Sequence, residues 1–179
     1  SRFVNAYENE VITIFDTETT GLDVFNDDIL QIAAVQLKNG AVVPGSAMSI
    51  YLESDKEIPE MLGDIVNPII EERRHHQLIS RQDALQRFVD YAQNTVLLGH
   101  NADFDIHILT NNLLRELPEC PLPENLNNYL DSLLLIRLLR PGLRQYKLKY
   151  LLEVLHLEGE NSHLASFSTT VLRLHSNKE

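Results

Sequence analysis

Apolar and polar positions fall into short blocks whose period changes along the chain. Val11, Ile12, Ile14 and Phe15 form an apolar run rich in β-branched residues, which predicts a buried strand. Ile29 to Lys38, I-L-Q-I-A-A-V-Q-L-K, predicts a second strand. Asn39-Gly40 follows it, a pair suited to the two positive φ angles of a type I′ hairpin turn. A third strand over about Ala41 to Leu52 completes an antiparallel meander, with Pro44-Gly45 marking a bulge or an edge break.

Residues 57–79 are less regular. Ile58-Pro59 predicts the start of a short helix, and Pro68 predicts another that begins after Asn67. Ser80, with Asp83 three residues on, resembles a capping box and opens a helix with Leu85, Phe88, Val89 and Ala92 on one face. Thr95 to Leu98 predicts a short strand, which runs into Gly99-His100-Asn101-Ala102-Asp103-Phe104-Asp105 and a helix carrying Ile106, Leu109, Leu113 and Leu114. Pro118 to Pro123 is a loop. Three more helices are expected: one after Tyr129-Leu130-Asp131-Ser132 that stops before Pro141, one over Lys147 to Leu157, and one ending near Leu174. This alternation predicts an α/β layer with a mixed sheet.

Composition narrows the picture. The chain has 179 residues, which suits one domain, and its 44% apolar content supplies a substantial core. Cys120 is the single cysteine, so no internal disulfide can form, and a reducing, cytoplasmic setting is expected. The sequence has neither a secretory apolar segment nor an apolar run of membrane-spanning length. The net charge of −11 argues against a protein that grips duplex nucleic acid by a broad basic face. It leaves room for an enzyme that meets phosphate through metal ions, because bound cations reverse the local field.

The candidate chemistry begins at Glu10 to Leu22, E-V-I-T-I-F-D-T-E-T-T-G-L. Asp16 and Glu18 are two apart on the predicted strand and share a face. Paired carboxylates beside a buried strand need neutralising, and a hard divalent cation such as Mg²⁺ or Mn²⁺ prefers oxygen ligands. Gly21 then lets the backbone turn tightly. The basic run Arg73-Arg74-His75-His76 is expected to be a solvated helix face, with contact to a substrate phosphate as the other reading.

F-D-T-E-T-T-G-L resembles the first motif of the DnaQ-like 3′–5′ exonucleases, the histidine-type DEDD (DEDDh) group that includes the epsilon proofreading subunit of bacterial DNA polymerase III. Gly99-His100-Asn101 followed by Phe104-Asp105 is similar to that family's second motif. The match places the metal-site aspartate on Asp105 and leaves Asp103 as a helix N-cap; His100 and Asn101 are expected to hold the loop. Asp131-Ser132 also resembles a family feature, with Asp131 a cap or an outer support of the site. Asn161-Ser162-His163-Leu164-Ala165 resembles the surroundings of the third motif's histidine, which an aspartate follows five residues later. Here Ser168 occupies that position, and no carboxylate lies between His163 and Glu179.

The resemblance covers about Val11 to Leu174. It implies a ribonuclease H-like α/β fold, with a central five-stranded mixed sheet flanked by helices, and a single exonuclease domain over residues 1–179, with excision from a longer protein as a further reading. It also implies two Mg²⁺ or Mn²⁺ ions about 3.5–4 Å apart. Asp16 would bridge both, Glu18 and position 168 would hold one, and Asp105 would support the other. His163 would be the general base, a role worth roughly 10²–10⁴-fold. Thr17, Thr19 and Leu22 would line the terminal nucleotide, with Phe104 packing beside it, and Asn67 stands where relatives often carry a substrate-contacting histidine. The implied substrate is the 3′ end of single-stranded DNA, with RNA left open because 2′-OH discrimination depends on pocket shape. A polymerase or helicase partner, or a fused domain, is expected. A serine is a poor substitute for a carboxylate, so the other expectation is a degenerate exonuclease fold that binds nucleic-acid ends or a partner protein without cutting.

Overall fold

The computed structural model describes residues 5–6, 9–39 and 41–131. The three helices expected beyond Ser132, and both His163 and Ser168, lie outside the described residues. The strands in chain order are β1 (Val11–Thr19), β2 (Ile29–Lys38), β3 (Ala41–Val42), β4 (Met48–Leu52), β5 (Met61–Leu62), β6 (Ile65–Val66), β7 (Leu78–Ile79), β8 (Val96–Gly99) and β9 (Leu130–Asp131). The helices are α1 (Pro68–Arg74), α2 (Arg81–Ala92) and α3 (Ala102–Glu116).

β1 is central because both of its faces are buried, Ile12 and Ile14 on one side, Thr13 and Phe15 on the other. It pairs antiparallel with β2 and parallel with β8. The order β4-β2-β1-β8-β9 forms the expected five-stranded mixed sheet. β7 extends it beyond β4, and the short β3 pairs with the end of β2, giving seven strands in all. The expected third strand is split into β3 and β4, and both pair with β2. The break falls at Pro44-Gly45, where Gly45 takes φ +73°. Asn39 has φ 51°, and Lys38 pairs with Ala41, as the hairpin reading requires.

α2 and α3 cover one face of the sheet. Phe15, Ile32, Ile50 and Leu97 meet Leu85, Phe88 and Ile106 there, and the Phe15 and Phe88 rings lie 5.4 Å apart at a 43° tilt. α2 starts as expected, with the Ser80 side chain accepting from the Asp83 N–H. α1 starts after Asn67 and packs Ile69 against Leu30 and Tyr51. Asn67 is occupied structurally. Its side chain caps Ile69 and donates to the Pro59 carbonyl.

One expectation fails here. No helix begins at Ile58-Pro59. Instead β5 and β6 pair as a hairpin around Gly63, whose φ of +60° no helix accepts. In α3, Leu114 is 50% exposed. The buried stripe of α3 includes Asp105, Ile108 and Asn112 beside Ile106, Leu109 and Leu113. Two polar residues, Asp105 and Asn112, thus occupy the inward face.

Asn112 is well bonded, and so is Asp28 just before β2. Asn112 accepts from the Ile29 N–H at 3.1 Å and donates to the carbonyls of Asp27 and Ile108. Asp28 receives Ser54 at 2.7 Å and Arg115 at 3.0 Å, with Arg81 and Lys56 close by. Arg81 also donates to the carbonyls of Ile29 and Glu53. This cluster fastens the start of β2 to both α2 and α3.

Candidate active site

The site forms where the end of β1 meets the start of α3. Asp16 and Glu18 share one face of β1, and Thr17 faces the helices with Phe15. Asp16 is 1% exposed, and its Oδ1 accepts from the Thr17 N–H at 2.9 Å. Asp105, in the first turn of α3, is fully buried. The Thr17 hydroxyl donates to Asp105 Oδ1 at 2.5 Å and ties the two segments together. Glu18 is half-buried at the strand end, just before the register of β1 shifts. Across the sheet it faces Gln31, which in turn faces Tyr51. Burial and the charges of Glu72 and Glu18 push the Tyr51 hydroxyl above its ordinary value.

The start of α3 is built without its own side-chain cap. Asn101 takes the left-handed conformation, φ 56° and ψ 52°, and makes no capping bond. Asp131, at the end of β9, supplies the cap, accepting from the N–H groups of Asn101 at 3.0 Å and Ala102 at 3.2 Å. Asp131 is thus a cap, as expected, but for α3 rather than for the helix that follows it in sequence. Asp103 is not the N-cap; it accepts the Tyr129 hydroxyl. That hydrogen bond, with burial and the charges of Asp103 and Asp131, pushes the Tyr129 hydroxyl up to about 12. His100 is buried beside this turn.

Gly99 sets how closely α3 approaches the sheet. A Cβ there would meet Ala102 Cβ at 3.0 Å and Ala102 Cα at 3.2 Å. Gly99→Ala is therefore expected to push the start of α3, and Asp105 with it, by a few tenths of an ångström. Misplacement of about 1 Å costs on the order of 100-fold in rate, so a loss of about tenfold in kcat is expected. Steady-state kinetics on an oligonucleotide, with Tm measured alongside, checks this; an unchanged kcat would show that the helix start does not position the site.

The remaining sequence candidates divide. Thr17, expected to line a nucleotide, is turned inward onto Asp105, because its side chain alternates with those of Asp16 and Glu18. Thr19 donates to the Gly21 carbonyl at 2.7 Å. Leu22 is 79% exposed. Phe104 is partly buried against the helix-side core. The basic run is engaged locally: Arg73 donates to the Leu52 carbonyl, Arg74 and His75 pair with Glu71, and His76 stacks on Tyr51. The signal for the Thr17–Asp105 link was present as a threonine between two carboxylates, but only the fold brings Asp105 within reach.

The donor set is oxygen only, two buried carboxylates with a third at the strand end, which is what Mg²⁺ or Mn²⁺ takes. Among the described residues no three His, Cys, Asp or Glu side chains are gathered closely enough to hold an ion by themselves. His163 and position 168 lie outside the described residues. No helix among the described residues is long and apolar enough to cross a membrane.

Acidic groups thus stand at the end of the central strand of a mixed α/β sheet, with helices on its face. The RNase T exonuclease family model matches residues 13–166, and the chain belongs to that family, consistent with its DnaQ-like, DEDDh motifs. Relatives include the PolC-type DNA polymerase III of Clostridium perfringens, 30% identical over 161 residues that cover 89% of this chain and 10% of the relative. That of Caldanaerobacter subterraneus subsp. tengcongensis is 32% identical over 161 residues, covering 85% of this chain and 10% of the relative. The chain thus spans about a tenth of the length of these polymerases. Among solved structures, the zinc-bound Exonuclease I–ssDNA complex of E. coli superposes with a TM-score of 0.64 at 22% identity, covering 92% of this chain and 40% of that one. E. coli Exonuclease I with a dA16 oligonucleotide gives 0.62 at 22% identity, covering 87% and 37%. These structures share the fold.

Proposed function

We propose that this chain is a metal-dependent 3′–5′ exonuclease that releases nucleoside monophosphates from the 3′ end of single-stranded DNA, in proofreading or repair. The observation that carries the reading is the buried Thr17–Asp105 hydrogen bond, which ties α3 to the strand end that carries Asp16 and Glu18. Asp16, Glu18 and Asp105 would hold the divalent ions, Mg²⁺ or Mn²⁺, with two expected and the further ligands lying outside the described residues. When bound, such ions neutralise charge on the reacting phosphoryl group and stabilise the leaving 3′ oxygen. Thr17 fixes the rotamer of Asp105, so that the carboxylate is already oriented when substrate arrives. His163 takes the proton from the attacking water. Thr19 and Leu22, with Phe104 alongside, receive the terminal nucleotide. DNA is favoured over RNA by the polymerases among the relatives, and a polymerase, in the same chain or as a partner, is the expected context. Cytoplasmic action fits a chain with a single cysteine.

Ser168 supports a second reading, a fold that binds strand ends without cutting, because a neutral hydroxyl replaces the fourth carboxylate of the motif. One assay separates the two. A 3′-labelled single-stranded oligonucleotide is incubated with Mg²⁺ or Mn²⁺ and the native chain, Ser168→Asp or Asp16→Ala. The native chain is expected to cut slowly, Ser168→Asp at least about 10–100-fold faster, since even an outer partner of a metal ligand is worth that much. Asp16→Ala is expected to be inert. If neither the native chain nor Ser168→Asp cuts while both bind, the second reading replaces the first.

A further inference from the structure

We propose that Phe25 is a stacking platform for the base that precedes the 3′-terminal nucleotide; the inference rests on the exonuclease reading above. Phe25 is 69% exposed on the loop that connects β1 to β2, three residues beyond Leu22. A lone exposed apolar side chain is ordinary. This one is held out by a loop with little freedom to fold it back. Asp23 Oδ1 accepts from the N–H groups of Phe25 at 3.0 Å and Asn26 at 3.3 Å, and Asp23 Oδ2 accepts from Asn26 Nδ2 at 2.9 Å. Asp27 Oδ1 accepts the Thr20 hydroxyl at 2.7 Å, and its Oδ2 accepts from the Asp23 N–H at 2.8 Å. Asn111 of α3 donates to the Val24 carbonyl at 2.9 Å and pins the loop to the helix that carries Asp105. The ordering cost of presenting the ring is met by the fold before any ligand arrives.

The position is set by the same bond. Asn111 lies six residues after Asp105, about 9 Å along the helix axis. Phe25 therefore stands beside the carboxylates rather than over them, next to the place assigned to the terminal nucleotide. Charge decides the kind of contact. The loop carries Asp23 and Asp27, which repel phosphate. Arg81 and Arg115 are engaged by Asp28, Arg74 by Glu71, and Arg73 by main-chain carbonyls. A strand entering here is best held through its bases, with its phosphates turned outward. An exposed aromatic face does this for any base, so the contact carries affinity without sequence preference.

The test compares Phe25→Ala and Phe25→Tyr with the native chain on two substrates, oligo(dT) of twelve nucleotides and the p-nitrophenyl ester of thymidine 5′-monophosphate, which has no second base. Phe25→Ala is expected to raise KM for the oligonucleotide by about 5–150-fold with kcat nearly unchanged, as loss of one stacked base implies. KM for the ester should not move, and Phe25→Tyr should restore the oligonucleotide KM. An oligonucleotide KM within twofold of native in Phe25→Ala, or an equal rise on both substrates, overturns the proposal. If the native chain cuts neither substrate, the exonuclease reading has failed, and anisotropy of fluorescent oligo(dT) judges Phe25 by itself. Binding that weakens in Phe25→Ala and returns in Phe25→Tyr supports the platform; binding indifferent to Phe25, or no binding, removes it.

Discussion

Asp105→Asn is expected to lower the exonuclease rate at least about 100-fold while leaving the fold at least as stable as the native one. The loss follows from the metal: an amide is neutral, and removing even an outer support of a metal ligand costs about 10–100-fold. The stability follows from burial. Asp105 is fully buried, and an ionised carboxylate out of water is far costlier than an amide of the same shape. The amide oxygen can still accept the Thr17 hydroxyl, so the link between β1 and α3 survives. A second signature separates a metal site from a merely structural pair. Mg²⁺ at a hundredfold excess over its Kd should stabilise the native chain by about 2.7 kcal/mol, and Asp105→Asn should lose most of that gain. Thermal unfolding of both proteins with Mg²⁺ and with EDTA measures it. Equal Mg²⁺ shifts in the two proteins would remove Asp105 from the metal site.

Asp28→Ala is expected to destabilise the domain by about 3–5 kcal/mol, the usual cost of removing one partner from a buried ionic cluster. Asp28 is buried and meets Arg115, Arg81, Lys56 and Ser54, and it sits where β2, α2 and α3 converge. Without it, Arg81 loses one of its two carboxylate partners in a largely enclosed place and keeps only Glu116. Urea unfolding at neutral pH gives the difference directly. The pH dependence has a definite sign. Burial raises the Asp28 carboxyl, but the bonds from Ser54 and Arg115 and the charges of Arg81 and Lys56 outweigh it and hold the group below its ordinary 3.8. A carboxyl depressed on folding adds stability above its unfolded pKa and loses that stability as the pH falls through the folded one. The native chain and Asp28→Ala should therefore differ most above about pH 4 and converge in stronger acid. A constant difference across that range would mean that Asp28 acts by packing alone.

Several parts of this architecture were legible locally. A β-branched apolar run fixed β1, and an Asn-Gly pair fixed the hairpin between β2 and β3, because each depends on backbone preferences of a few adjacent residues. The Ser80 cap, the Pro68 helix start and the shared face of Asp16 and Glu18 are local in the same sense. The hairpin at Gly63 was missed because a proline four residues earlier resembled a helix start, while the left-handed glycine that closes the turn gives only a weak local signal.

What the chain order cannot express is which distant groups meet. Thr17 reaches Asp105 across 88 positions, and Asp131 caps a helix that begins 29 residues before it. The inward turn of Asp105 and Asn112 makes two of the eight polar residues of α3 part of the core, against the rule that buried stripes are apolar. The motif residues, their types and their order were determined by the sequence, since a metal-binding oxygen or a tight glycine turn is a property of single residues. Their assembly into a site was decided by tertiary structure. Burial makes a carboxylate tolerable only where specific partners converge on it, and convergence is set by the packing of β1 against α3 rather than by spacing along the chain.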